Sequence, residues 1–265
     1  MELVVDRRSV HAYTGARPFR PGEPTVVLVH GAGNDHSVWA LQSRYVAHHD
    51  RNVLALDLPG HGRSEGAPLD SVEAIADWLA RVLDSAGAKR AALVGHSMGA
   101  LAALECAARH PQRVSQLALI GPAVPMEVSE DLMQAARDDE PLAYGLINGW
   151  SFGPHGQLGG NAWPGVWMSG NAMRLLERNG RGVLAQDLVA CQRYANGLAA
   201  AAKVRCPALI VTGTRDIMAP AKSARALIDA LANTEVLTLA GAGHSLMAEE
   251  PDALLDALRR FLALS

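Results

Sequence analysis

Short apolar runs alternate with longer amphipathic stretches over the first part of the chain. The apolar runs are typical of buried strands and lie near residues 25–30, 52–57, 90–95 and 116–121. The amphipathic stretches predict helices near residues 37–48, 71–86 and 98–110, with Ser37 and Ser71 as candidate N-caps. Strands that alternate with helices favour a mostly parallel sheet with helices on both faces.

The alternation is interrupted at two places. Residues 2–20 predict one or two short antiparallel edge strands. From residue 125 to 204 no strand-like run occurs, and the alternation resumes at Pro207. We therefore predict an α/β core formed by residues 1–124 and 205–265, with residues 125–204 as a mostly helical cap. Insertions of this length inside a compact fold are typically lids or binding segments.

The pentapeptide Gly95-His96-Ser97-Met98-Gly99 is the most informative stretch of the chain. It fits the G-x-S-x-G pattern, which places a serine on a sharp turn between a strand and a helix. The apolar run before it and the Ala- and Leu-rich run after it match that context. Because a serine hydroxyl is a weak nucleophile without a base, Ser97 predicts a histidine and an acid elsewhere in the chain.

Two residues in the last part of the chain are candidates for these roles. Asp216 follows the apolar run that ends at Gly213, and His244 lies in the loop after a further predicted strand. Both come just past the carboxyl end of a strand, which is the edge where active sites of open parallel sheets gather. An acid after the sixth strand is the alternative, but residues 121–125 contain no carboxylate.

The loop after the strand at residues 25–29 reads His30-Gly31-Ala32-Gly33 and is a candidate oxyanion site. Backbone N–H groups stabilise a tetrahedral oxyanion, and one such donor is worth about 2.7–4 kcal/mol. In the elbow arrangement the donors are the residue after the nucleophile and one residue of this loop. We predict Met98 and Ala32, with the choice among residues 31–33 left open.

One further motif completes a resemblance to a known family. The segment from Asp57 to Ser64, which reads D-L-P-G-H-G-R-S, looks like the D-x-P-G-x-G-x-S loop after that family's fourth strand. From about residue 22 onward the chain resembles the α/β-hydrolase superfamily, in its esterase, lipase-like and C–C-bond hydrolase branch. The resemblance implies an α/β-hydrolase fold: an eight-stranded, mostly parallel sheet with a helical cap inserted after the sixth strand.

The resemblance implies a serine hydrolase of a small or medium ester, thioester or lactone. Ser97 would be the nucleophile, His244 the general base and Asp216 the acid that orients the imidazole. C–C-bond hydrolysis, a lyase reaction or perhydrolysis on the same triad remain alternatives. A ligand-binding protein with low turnover is an alternative of another class. A serine at position 97 disfavours haloalkane dehalogenases and epoxide hydrolases, which use a carboxylate nucleophile.

Composition limits the kinds of partner that we expect the protein to bind. The formal net charge of −3 gives no reason to expect nucleic acid or an anionic membrane as a partner. No apolar run approaches the length of a membrane span, and the first residues lack the pattern of a signal peptide. Three cysteines without C-x-x-C spacing, Cys106, Cys191 and Cys206, favour a reduced compartment. We predict a cytoplasmic protein with a small-molecule substrate; its oligomeric state stays open.

No metal or cofactor is predicted. Several histidines and an aspartate lack the spacing of metal ligands and are interpreted as surface residues: His30, His36, His48, His49 and Asp50. Gly31-Ala32-Gly33 is not a dinucleotide or phosphate loop, because neither G-x-G-x-x-G nor a following Lys is present. Asp57 and His61 are assigned a structural role in their turn.

Three tryptophans fall in the predicted cap and are candidates for the substrate pocket: Trp150, Trp163 and Trp167. A cap needs a small core of its own, so each tryptophan could equally be packed in that core. The other possibility is that they line an apolar acyl or aromatic pocket.

Overall fold

The computed structural model describes residues 1–157 and 165–264. Within these ranges the chain forms one sheet from strands that we number in chain order: β1 Glu2–Val5, β2 Arg8–Tyr13, β3 Thr25–Val29, β4 Asn52–Leu56, β5 Ala91–His96, β6 Val114–Ile120, β7 Ala208–Gly213 and β8 Thr234–Leu239. Their order across the sheet is β1-β2-β4-β3-β5-β6-β7-β8. This arrangement confirms the predicted eight-stranded sheet.

The sheet is mostly parallel. β3 pairs in parallel with both β4 and β5, and the parallel pairing continues through β6 and β7 to β8. β1 pairs antiparallel with β2, and β2 pairs antiparallel with β4, which confirms the predicted antiparallel edge. Because the six parallel strands run the same way, the loops after β3, β5, β7 and β8 meet at one edge.

Helices connect these strands or follow the last of them: α1 Ala40–Ala47, α2 Val72–Ser85, α3 Met98–Arg109, α10 Arg225–Ala230, α11 Leu246–Glu249 and α12 Pro251–Phe261. Ser71 caps α2 as predicted, because its hydroxyl accepts the Ala74 amide at 3.3 Å. The prediction for Ser37 is wrong. Asp35 is the cap of a 3-10 turn at His36–Trp39, and its carboxylate accepts the Ser37 amide at 2.8 Å. A carboxylate two residues earlier captures the amide and leaves Ser37 inside the turn.

Apolar side chains cover both faces of the sheet, as predicted. One layer includes Trp78 on α2 and Leu101 on α3. The other includes Trp39, together with Leu254 and Phe261 on α12. The strands of the sheet centre are buried along their whole length, because helices pack on each side of them.

Between β6 and β7 the described residues form helices only: α4 Glu130–Asp138, α5 Glu140–Ser151, α6 Pro154–Gln157, α7 Met168–Arg178, α8 Val183–Arg193 and α9 Gly197–Ala201. Helices α4, α5, α7 and α8 share a small apolar cluster that includes Leu132, Tyr144 and Leu184. Helices α8 and α9 are separated by a short break at residues 194–196. At the break, Tyr194 Oη and Asn196 Nδ2 both donate hydrogen bonds to a buried carboxylate, that of Glu105 on α3.

Across residues 1–157 and 165–264, none of the helices combines the length and the apolar character that crossing a bilayer requires.

Candidate active site

The turn between β5 and α3 holds Ser97 in a strained conformation. Its backbone has φ 54° and ψ −119°, in a region that residues other than glycine rarely occupy. Glycines on either side permit the turn. A Cβ on Gly95 would lie 2.1 Å from the Gly99 carbonyl oxygen, and a Cβ on Gly99 would lie 2.5 Å from the Val29 carbonyl oxygen. The close approach of strand and helix therefore depends on both glycines.

Asp216 and His244 meet at the edge of the sheet. Asp216 Oδ2 lies 2.7 Å from His244 Nδ1, and both residues are buried. The other carboxylate oxygen accepts the amides of Met218 at 2.9 Å and Ala219 at 2.8 Å. Burial opposes the charged form of Asp216, but the charge and hydrogen bond of His244 and the Ala219 amide hold its pKa below the ordinary value. The carboxylate is therefore charged and directed at the imidazole.

The backbone of the His244 loop is held by a second histidine. His96 Nε2 lies 2.9 Å from the His244 carbonyl oxygen, so this nitrogen carries the proton and donates it. Burial, with the nearby His244, lowers the pKa of His96 to about 3, which keeps its ring neutral. On the other side, the Ser245 amide donates to the Ser151 carbonyl at the end of α5 at 2.8 Å. Both contacts restrict where the His244 ring can lie.

Ser97 and His244 line the same cavity, which has a volume of about 660 Å³. Within the part of the chain that the structure describes, no hydrogen bond joins the Ser97 hydroxyl to the His244 ring. Hydrogen bonds of this kind often tighten only when a substrate is bound. The arrangement brings a half-buried hydroxyl, an imidazole and a charged carboxylate to one edge of the sheet.

The three candidate pocket tryptophans have different positions. Trp150 on α5 is half-buried and lines the cavity. Trp167 precedes α7, is 73% exposed and is not among the described residues that line the cavity. Its indole lies over Gly170, where a Cβ would come within 2.1 Å of the ring. Trp163 lies outside the described residues.

The loop after β3 and the start of α3 present backbone amides near Ser97. The Gly33 amide is already engaged, because it donates to Asp187 Oδ2 at 2.8 Å. The amides of Ala32 and Met98 have no acceptor among residues 1–157 and 165–264. The first amides of a helix lack partners within the helix, and Met98 is the first residue of α3. Both amides are thus free to donate to a bound oxyanion.

Asp187 on α8 also contacts the loop after β4. Its Oδ2 lies 2.8 Å from His61 Nε2, and both side chains are almost fully buried. His61 Nδ1 lies 3.0 Å from the Pro59 carbonyl oxygen, so both ring nitrogens face acceptors. Burial lowers the pKa of His61, but the Asp187 carboxylate outweighs burial and the net pKa is raised. The pair ties the predicted cap to both loops.

Glu249 on α11 makes a comparable link at the His244 loop. One carboxylate oxygen accepts the Gly243 amide at 2.9 Å, and the other accepts the Gly153 amide at 2.8 Å. A Cβ on Gly243 would lie 2.5 Å from the Gly153 nitrogen, so a side chain there would push the two backbones apart. Burial raises the pKa of Glu249, although both amides act in the opposite direction.

Three of the histidines considered as metal ligands, His30, His36 and His49, take part in the protein's own side-chain hydrogen bonds. His30 is fully buried, contrary to the surface prediction, and burial lowers its pKa to about 4. Among the described residues, His11, His36 and Asp57 offer ligand atoms within 4.8 Å of one another. However, Asp57 Oδ1 already accepts from the His36 amide and pairs with the His36 ring, and Oδ2 accepts from the Arg63 amide. This cluster stabilises the turn, as predicted for Asp57.

Comparison with known proteins identifies the family to which the chain belongs. The sequence profile of the alpha/beta hydrolase fold family matches residues 24–251, so the chain belongs to this family.

The chain is 28% identical to RutD of Klebsiella pneumoniae, a protein named as a candidate carbamate hydrolase. The match covers 90% of this chain and 91% of RutD. Among solved structures it is similar to the enol-lactonase of Burkholderia xenovorans LB400, with a TM-score of 0.88 and 25% identity, covering 99% of this chain and 100% of the lactonase. A thermophilic esterase shares the fold with a TM-score of 0.81 and 24% identity, covering 99% of this chain and 96% of the esterase.

Sequence reasoning singled out Ser97, Asp216, His244, Ala32 and Met98, and the structure places all five at one edge of the sheet. It missed the residues that hold these groups in place, namely His96, Asp187 and Glu249. His96 lies inside the elbow motif, and its position next to Ser97 could have indicated a role at this site. Asp187 and Glu249 lie on helices with no motif around them, and only tertiary contacts distinguish them from surface carboxylates.

Proposed function

We propose that the protein is a serine hydrolase that cleaves an ester-type bond through an acyl-enzyme on Ser97. The observation that carries this proposal is the buried contact of 2.7 Å between Asp216 and His244 in the loops beside the strained elbow serine. Family membership and the similarity to an enol-lactonase and to RutD support the same reaction class. The substrate is an ester, a thioester or a lactone of small or medium size.

In the acylation step, the Ser97 hydroxyl oxygen attacks the carbonyl carbon while His244 Nε2 takes its proton. Asp216 holds the imidazole in the tautomer that leaves Nε2 unprotonated, and its charge stabilises the imidazolium that forms. The tetrahedral intermediate collapses as the bond to the leaving group breaks, and His244 donates the proton to that group. Water then attacks the acyl-enzyme by the same route and releases the acid.

The developing negative charge needs donors that are already in place. We propose that the amides of Ala32 and Met98 supply them, because the Gly33 amide is occupied by Asp187. Donors fixed in a dry site need little reorganisation as charge develops on the oxygen. That hydrogen bond removes Gly33 from the three amides of the loop and leaves Gly31 and Ala32, of which we propose Ala32.

We further propose that residues 125–204 form a cap over the site and that Trp150 is one wall of the pocket. Helices α4, α5, α7 and α8 each contribute residues to the cavity, opposite the loops that carry Ser97 and His244. A cytoplasmic location fits the three cysteines, all of which are buried thiols without a disulfide.

The test is labelling of purified protein with a fluorophosphonate, together with turnover of p-nitrophenyl butyrate. Wild type should label at one serine and hydrolyse the ester. Ser97→Ala should lose the label, and kcat/KM should fall by about 10³-fold or more. Ser37→Ala is a matched control, because this serine lines the same cavity without a proposed chemical role. Full turnover by a folded Ser97→Ala protein would refute the proposal.

A further inference from the structure

The side chains around the cavity carry almost no charge. Of the described residues that line it, Glu127 is the single carboxylate, and none is a lysine or an arginine. Residues 158–164 read Leu-Gly-Gly-Asn-Ala-Trp-Pro, so their sequence adds no charged side chain. The cavity therefore lacks a cation of the kind that binds a carboxylate or a phosphate.

The two histidines of the cavity do not replace that cation. The His96 ring is neutral, because burial lowers its pKa to about 3. His244 is paired with the Asp216 carboxylate at 2.7 Å, so even its protonated form has its charge balanced. An anionic group in the cavity would meet the Glu127 carboxylate and no unpaired positive charge on the lining residues that the structure describes.

The remaining walls are mostly apolar. From the loops and helices of the core they include Val38, Leu41 and Met247. From the helices between β6 and β7 they include Leu132, Ile147 and Leu175. A volume of about 660 Å³ lies within the range of pockets for small organic ligands. Such walls favour a hydrocarbon acyl chain, because its transfer from water is favourable in proportion to the apolar area that is buried.

We propose that this cavity selects an uncharged, apolar acyl or lactone group and rejects substrates that carry a carboxylate on it. This inference rests on the proposed function and specifies its substrate class. A carboxylate that enters the cavity loses its hydration, and no opposite charge compensates for the loss. A neutral chain of the same length does not have this cost.

Three matched activated esters test the proposal on the purified full-length protein near neutral pH. They are p-nitrophenyl hexanoate, mono-p-nitrophenyl adipate, which adds a terminal carboxylate, and methyl p-nitrophenyl adipate, in which that carboxylate is masked. We expect kcat/KM for the anionic ester to be about 100-fold or more below that for the hexanoate. The masked ester should recover most of the activity. Similar values for the anionic and masked esters would overturn the proposal.

A variant tests the charge of the cavity directly. Glu127 is exposed, so its replacement should leave the fold intact. Glu127→Lys supplies the missing cation and should raise the ratio of anionic to masked-ester turnover by about tenfold. Glu127→Gln, the matched control, removes repulsion without adding a cation and should raise the ratio less. If the lysine variant leaves the ratio at the wild-type value, charge does not explain the selectivity.

Binding to Ser97→Ala separates this proposal from the proposed chemistry. Calorimetry with methyl hexanoate and with monomethyl adipate needs no turnover. Tighter binding of the neutral ester supports the substrate class even if wild type proves inactive towards all three p-nitrophenyl esters, a result that would refute the ester-hydrolase proposal alone. Equal or tighter binding of the anion would overturn the substrate class, whatever the reaction.

Discussion

Two buried aspartate–histidine pairs in this molecule differ in what their second ring nitrogen faces. His244 Nδ1 lies 2.7 Å from Asp216, and the ring borders the cavity, with no hydrogen bond from Nε2 to any described residue. His61 Nε2 lies 2.8 Å from Asp187, and its Nδ1 lies 3.0 Å from the Pro59 carbonyl oxygen. Neither His61 nor Asp187 lines the cavity.

The difference shows why a buried pair is not by itself a catalytic one. A general base must accept a proton at a free nitrogen within reach of the substrate or nucleophile. Both nitrogens of His61 face acceptors and its pKa is raised, so folding favours the protonated ring as a structural link. His244 has one nitrogen committed and one available. The two pairs should accordingly respond differently to substitution.

The largest expected effect is on the pair that faces the cavity. His244→Ala removes the proposed base, and kcat/KM for an activated ester should fall by about 10³-fold or more. Its unfolding free energy should also fall, because the buried Asp216 carboxylate loses the imidazole that pairs with it. Steady-state kinetics and urea unfolding measure the two quantities. A variant that keeps most of its activity would contradict the proposed role.

The second effect concerns the pair that links the loops to α8. Asp187→Ala leaves the buried His61 ring and the Gly33 amide without their acceptor, so the unfolding free energy should fall by about 3–5 kcal/mol. kcat should fall by about tenfold as the loop that carries Ala32 loosens, with KM little changed. Urea unfolding and steady-state kinetics on the same preparation measure the unfolding free energy and kcat.

Asp187→Asn is the matched control, because both hydrogen bonds go to Oδ2, so its amide oxygen can still accept them while the negative charge is lost. It should lie between Asp187→Ala and wild type in both stability and kcat. If Asp187→Ala is as stable as wild type, the pair does not hold the loops together.

The third effect is on the pH dependence of stability. Although burial opposes the charged form, the Asp187 charge raises the pKa of His61 above its ordinary value of 6.5 in the folded state. Folding therefore favours the protonated ring. This contribution is fully present below pH 6.5 and is lost as the pH rises through the folded-state pKa.

Urea unfolding of wild type and His61→Gln at about pH 6 and about pH 9 measures this contribution. The stability difference between the two proteins should be larger at the lower pH. A difference that grows with pH would mean that His61 is neutral in the folded protein.

The smallest effect is expected at the carboxylate that supports the His244 loop from behind. Glu249→Gln keeps one acceptor for the Gly243 and Gly153 amides and turns a donor towards the other. We expect a loss of about 1 kcal/mol in unfolding free energy and a fall in kcat of about threefold. Glu250→Gln is the neighbouring control. Equal kinetics for the two variants would show that the loop keeps its place without Glu249.

Much of this molecule could be predicted from the sequence. Alternating apolar runs and amphipathic stretches indicated a parallel sheet with helices on both faces, and the structure confirms it. The elbow motif indicated Ser97 because the close approach of strand and helix demands glycine at fixed spacing. Where a local competitor was overlooked the prediction failed, as at Ser37, whose amide is captured by Asp35.

The burial of His30 was missed for a different reason. A histidine next to glycines is typical of a surface loop. In the fold this ring lies beneath the loop after β4, where its Nε2 accepts the Leu58 amide at 3.1 Å. That contact joins residues far apart in the chain, and no local pattern indicates it.

By itself the sequence determined which elements form and in what order the chemical groups follow, since both depend on periodicity and on turn geometry within a few residues. The tertiary structure alone decided which carboxylate meets which histidine, which amide of the loop after β3 is taken by Asp187, and which side chains surround the cavity. These outcomes depend on contacts between segments that only the packed fold brings within hydrogen-bond distance.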